Sequence, residues 1–122
     1  MQQVRKTLSV RSAYGADPSQ PQASNADIFR IAIDRKLCVT AVYNKCAMLL
    51  SPHILYTKHD ELFVDAVVLQ RDGKAPAELK LGTFKLAGIN GASLSGEPFT
   101  IQPVFDAANA KYEGVTVRAV QP

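Results

Sequence analysis

The chain contains no tryptophan, only two cysteines in 122 residues, and no apolar run that approaches a membrane span. A transmembrane helix needs about 18 or more consecutive apolar residues, so the expectation is a protein with no membrane role. The opening MQQVRKTLSV is too polar for the apolar core of a secretory leader, which points to the cytoplasm. Cys38 and Cys46 have no cysteine or histidine neighbours at metal-ligand spacing and read as two small hydrophobic thiols, with no cofactor implied. Nor is there a G-x-S-x-G, a phosphate loop, a G-x-G-x-x-G, an H-E-x-x-H or a C-x-x-C. The two histidines, His53 and His59, lack a nucleophile at suggestive spacing, and no catalytic residue is assigned.

Hydrophobic residues make up 47% and charged residues 20%, the composition of one ordinary globular domain. Without tryptophan the core must be aliphatic, with Phe29, Phe63, Phe84, Phe99 and Phe105 as its large fillers. The net charge of +3 is unevenly placed. Residues 1–36 hold six basic and three acidic side chains, which account for all of it, and residues 37–122 hold eight of each. Any basic patch on the body is therefore local.

Residues 1–26 read as a flexible N-terminal arm and linker, rich in small polar residues with Gly15, Pro18 and Pro21. The domain is expected over 27–122. Ser24 followed by Asp27 is a helix N-terminal signal, and Ile28, Ile31 and Ala32 give a narrow apolar stripe for a short helix. From Leu37 the texture is that of strands: LCVTAVYNK, AMLLSPHILY bent at Pro52, LFVDAVVLQ, LKLGTFKLAGI with a bulge expected at Gly82, and a final VTVRAV. TKHDE, Asp72-Gly73, Asn90-Gly91 and Ser95–Pro98 read as turns. One short helix followed by about five short strands predicts a mainly β, α+β domain whose bent sheet closes toward a small barrel. Asp65 is the odd residue in its apolar strand. It either faces outward with Phe63 and Val67 or, if buried, needs a partner such as Lys85.

The order of these segments resembles the WYL domain, a bacterial regulatory family. The helix-to-tyrosine stretch IFRIAIDRKLCVTAVY, the Ser51-Pro52-His53-Ile54-Leu55 segment, the Leu62–Val67 strand, Gly82–Ile89 and the closing Glu97-Pro98-Phe99 follow the family in order. The resemblance spans some 70 residues and is carried by apolar positions. It implies an SH3- or Sm-like β-barrel that senses a nucleotide, a single-stranded nucleic acid or another anionic ligand, linked to transcription control and without enzymatic activity. Carried over residue by residue, the ligand set falls on His53, Phe63 and Lys85, with Lys80 nearby. The sequence departs from the family where its Trp and Tyr become Leu62 and Phe63, and where arginines of the second motif become Gly82, Lys85 and Gly88. Lysine supplies a point charge without the guanidinium fork. A free-standing domain of this kind is expected to pair with itself or with a separate DNA-binding subunit. The alternative is a degenerate copy serving only as an oligomerisation or partner-binding unit.

Overall fold

A computed structural model describes residues 24–122; residues 1–23 of the expected arm lie outside the described residues, and its last three, Ser24 to Ala26, form the cap and start of the helix. The chain starts with helix α1 (Asn25–Arg35), capped by Ser24, whose hydroxyl accepts from the Asp27 amide at 3.1 Å. Asp27 in the first turn and Arg35 in the last complement the helix dipole. Lys36 ends the helix in the left-handed conformation, and its N–H turns back to the carbonyls of Ala32 and Ile33. The buried stripe is Phe29, Ala32 and Ile33 rather than Ile28, Ile31 and Ala32. Both sets keep helical spacing, but Phe29 offers the larger apolar area, and the helix rolls to bury it.

Six strands follow: β1 (Leu37–Tyr43), β2 (Cys46–Lys58), β3 (Glu61–Arg71), β4 (Leu81–Lys85), β5 (Ile89–Pro98) and β6 (Thr116–Ala119). All pairings are antiparallel, in the order β4-β3-β2-β1-β5, with β6 added to β2. The expected α+β class with one N-terminal helix and a mainly β body is what the structure contains. Two tight hairpins set the register. Asn44 and Lys45 join β1 to β2, and His59 and Asp60 join β2 to β3, all four with positive φ. Two successive positive φ angles give the turn whose twist matches paired strands. The LCVTAVYNK strand thus stops at Tyr43.

Residues 89–98 pair with β1 as a strand, although their Asn-Gly and Ser-Gly signals read as turns. The glycines mark irregularities within β5: the ladder slips between Leu37 and Val39 and again between Thr40 and Val42, and Gly91 and Gly96 have positive φ. No bulge occurs at Gly82, where the β3–β4 ladder is regular from Phe63↔Lys85 to Val67↔Leu81.

Pro52 sits in the longest strand because β2 changes neighbours there. Residues 46–50 pair with β1 and residues 54–56 with β6, leaving 51–53 without a register partner on that edge. On the other edge His53 is the extra residue of a bulge between Pro52↔Ala66 and Ile54↔Asp65. A bulge bends its strand, so β2 serves both halves of the sheet. Ser51 to Tyr56 are all buried, because both faces are covered. On one face α1 packs against β1, β2, β5 and β6 and joins a core that includes Val39, Leu50, Val64 and Phe84; on the other the C-terminal segment brings Phe105 and Tyr112 against Ile54, Tyr56 and Phe63. Each fully buried Phe, Ile or Leu contributes about 1.5–3 kcal/mol relative to exposure.

Candidate functional site

Strand alternation places Phe63, Asp65 and Val67 on one face of β3, with Tyr56 of β2 opposite Phe63 and Thr83 of β4 opposite Asp65. The C-terminal segment then folds over this face. Its one-turn 3-10 helix, Ala110–Tyr112, is capped by Asn109, whose side-chain oxygen accepts from the Lys111 amide at 3.0 Å. This turn delivers Lys111 and Tyr112 to Asp65, which is 0% exposed. The Tyr56 hydroxyl donates to Oδ1 at 2.8 Å; Lys111 Nζ donates to Oδ2 at 2.9 Å, and the Tyr112 hydroxyl donates to that same oxygen. Asp65 therefore shares the face of Phe63 and Val67 and is also buried, and its ionic partner is Lys111 rather than Lys85.

Burial pushes the Asp65 carboxyl up, but the hydrogen bonds from Tyr112, Lys111 and Tyr56 outweigh it and hold the group below the usual carboxylate range. Burial, followed by bonding to an ionised Asp65, pushes both tyrosine hydroxyls up. Burial alone would lower Lys111, yet its bond to Asp65 and the attraction between the two charges raise it. At neutral pH the set is one carboxylate, one ammonium and two neutral phenols. The ammonium stands 5.4 Å from the Tyr56 ring centre and 5.3 Å from that of Tyr112, a cation–π position on each.

Lys111 is the link to solvent, with its side chain 45% exposed. It lines a cleft of about 650 Å³ together with Tyr56, Thr57, Lys58, His59, Thr83 and Val115. Lys58, Lys111 and the Thr83 hydroxyl present hydrogen-bond donors to it. The carboxylate lies behind Lys111, buried.

The residues singled out from sequence are dispersed. Phe63 and Lys85 are register partners on the cleft face; Phe63 stacks on Tyr56 at 6.0 Å, and Lys85 Nζ lies 2.9 Å from Glu61. His53 is in the interior at 0% exposure, between Phe99 and Phe105. Its Nδ1 bonds the Ser51 carbonyl at 2.8 Å, and Nε2 accepts from the Gln102 amide at 3.0 Å. With both ring nitrogens used, it pins the C-terminal segment to the sheet. Lys80 is exposed just before the far end of β4 and borders a different cleft. Four residues that the resemblance groups together thus occupy three places, and only Phe63 and Lys85 accompany the cleft.

Sequence reasoning missed Lys111, Tyr112 and Thr83. Lys111 lies 46 positions from Asp65, in a polar loop whose one legible feature is Asn109 as a cap. Among the described residues no group of three or more His, Cys, Asp or Glu is placed to hold a metal, and no helix is long and apolar enough to cross a membrane. The cysteines are free: Cys38 is buried, and Cys46 bonds Asp72 at 3.3 Å. Comparison with family models, curated proteins and solved structures gives no match to the chain.

Proposed function

We propose that this chain is a WYL-like, non-enzymatic regulatory module that binds a nucleotide or another anionic ligand in the Lys111 cleft, in the service of bacterial transcription control. The observation that carries the reading is the placement of Lys111. A buried carboxylate and two tyrosines hold its ammonium at the floor of an open cleft, beside Lys58, Thr83 and the stacked Tyr56–Phe63 pair. Fixed donors near an aromatic face suit a group that combines negative charge with a flat ring. The titration pattern supports binding over proton transfer, since both phenols are pushed away from ionisation at neutral pH and the lysine is held charged.

The barrel reading gains support from connectivity. β4 and β5 lie at opposite ends of the strand order yet are joined by three residues, Leu86–Gly88. Four Cα–Cα steps reach at most about 15 Å. Crossing four strand spacings in a flat sheet takes about 19 Å. The sheet must therefore curl, and the contact of Tyr43 on β1 with Phe84 on β4, at 5.0 Å between ring centres, fits an SH3- or Sm-like curl.

Thermal shift with adenosine triphosphate, inorganic pyrophosphate and a short oligothymidine tests the reading. A Kd of about 1 μM at 100 μM probe stabilises by about 2.7 kcal/mol. Stabilisation is expected to fall with added salt and with Lys58→Ala plus Lys85→Ala. No shift with any probe, or a shift indifferent to those two lysines, would refute it. A second reading rests on β5, whose outer edge has no strand partner among the described residues. A ligand-independent dimer without thermal shifts would favour a pairing module.

A further inference from the structure

A further cavity belongs to the other face of the β3–β4 ladder. Asp65 and Thr83 are register partners facing the Lys111 cleft, so alternation turns Val68, Gly82 and Phe84 to the opposite side. There, together with the loop that joins the two strands, they enclose a cleft of about 690 Å³. That volume is in the range of small-molecule sites.

The floor is rigid. The Phe84 ring is 5% exposed and meets Tyr43 edge-on at 5.0 Å and 88°. A Cβ at Gly82 would stand 3.1 Å from the Phe84 ring, so glycine gives that ring its room. The outer wall comes from Ala75 and Pro76, in a stretch without helix or strand between Ala75 and Lys80.

The rim is cationic. Arg71, Lys74 and Lys80 border the cleft, and none has a carboxylate within 4.0 Å among the described residues. Of the two acidic residues there, Asp72 is turned toward β2: its Oδ1 accepts from the Ala47 amide at 3.1 Å and its Oδ2 from Cys46 Sγ at 3.3 Å. Glu78 and this tied-back Asp72 stand against three cations, and the rim keeps one net positive charge.

We propose that this cleft is a second binding site, distinct from the Lys111 cleft, for a small organic carboxylate with an apolar ring or chain. The apolar part lies on Phe84 and Val68 between the strands and Pro76, and the carboxylate meets Arg71, Lys74 and Lys80 at the rim. A bare inorganic anion would leave the floor unfilled. A cation of the same shape would meet a rim of its own sign.

A nuclear magnetic resonance titration of the full chain tests this with 4-phenylbutyrate, 4-phenylbutylammonium and inorganic phosphate as probes. Phenylbutyrate should produce saturable amide shifts at Val68, Gly82 and residues 74, 75 and 77–80, with affinity about tenfold above that of either other probe. Removing the three cations together (Arg71→Ala, Lys74→Ala, Lys80→Ala) should weaken it about tenfold. Ala75→Trp, an exposed loop change that fills the cleft without touching the core, should abolish the shifts. The proposal is overturned by absence of saturable shifts, by equal binding of phenylbutylammonium or phosphate, by indifference to the triple substitution, or by shifts confined to Tyr56, Thr83 and Lys111.

Discussion

Lys111 and Asp65, 46 positions apart, form an ion pair of 2.9 Å in which one partner is fully buried and the other reaches solvent. The asymmetry determines what each side chain does. The carboxylate fixes the C-terminal segment against the sheet through Lys111 and Tyr112. The ammonium carries that fixed position outward to the cleft.

Removing the shared acceptor should therefore cost more than removing any one donor. Asp65→Ala strands two buried hydroxyls and should destabilise by about 2–4 kcal/mol. Tyr112→Phe deletes one of three donors to the carboxylate and should cost about 1–2 kcal/mol. Lys111→Met should cost less than Asp65→Ala, because water can reach the place of the exposed ammonium. Urea unfolding of the three variants gives the order. Equal losses, or a larger loss for Lys111→Met, would show that Asp65 is not the hub.

The same cluster sets a pH profile. The Asp65 carboxyl is held below its ordinary value, so its contribution is fully present above the unfolded value of about 3.9 and disappears as pH falls through the lower folded value. Tyr56, Tyr112 and Lys111 are pushed up. Their contribution is present below about pH 10 and is lost as pH rises through the folded values. Stability measured by urea midpoint should form a plateau with an acid and an alkaline limb. Asp65→Asn should flatten the acid limb, and an unchanged slope below pH 4 would place the responsible carboxylate elsewhere.

The fold was more legible than the site because local patterns cover most of the fold. Ser24 and Asp27 announce the helix start, and alternation in LFVDAVV puts Asp65 with Phe63. The helix face shifts by one position because Phe29 can be placed only against a sheet that no local window contains. β5 hid behind glycines that serve as irregularities inside a strand, a role set by its pairing with β1. The ligand set carried over by resemblance failed to converge for a similar reason. Whether His53 faces a ligand or the core depends on Phe99, Gln102 and Phe105, some fifty residues later in the chain.

His53 supplies a prediction that needs no substitution. The Ser51 carbonyl only accepts and the Gln102 amide only donates, so the neutral ring must carry its proton on Nδ1. Charging Nε2 would set donor against donor. Burial accordingly lowers its pKa, against the smaller opposing effect of the Ser51 bond. Its contribution to stability is whole above about pH 6.5 and erodes as pH falls from there toward the folded value. Long-range nitrogen–proton correlation spectra should show the Nδ1-protonated neutral form dominant at about pH 6.5, where an unshifted imidazole is half charged. An Nε2-protonated ring, or a charged one at that pH, would contradict the geometry.

The hairpin turns make the last prediction. Lys45 has φ 64 and Gly73 φ 83, each the second residue of a two-residue turn whose first residue, Asn44 or Asp72, is also left-handed. A side chain in that region carries a steric cost of about 1–2 kcal/mol that glycine does not. Lys45→Gly creates Asn-Gly, the preferred pair for such a turn, and should stabilise by about 0.5 kcal/mol after the added entropy of the unfolded glycine is subtracted. Gly73→Ala should destabilise although open space surrounds the new methyl, with nothing within 4 Å of it. Opposite signs from two surface changes isolate the backbone conformation as the cause. If both changes moved the urea midpoint the same way, the turn geometry, and with it the register of β1 against β2, would be wrong.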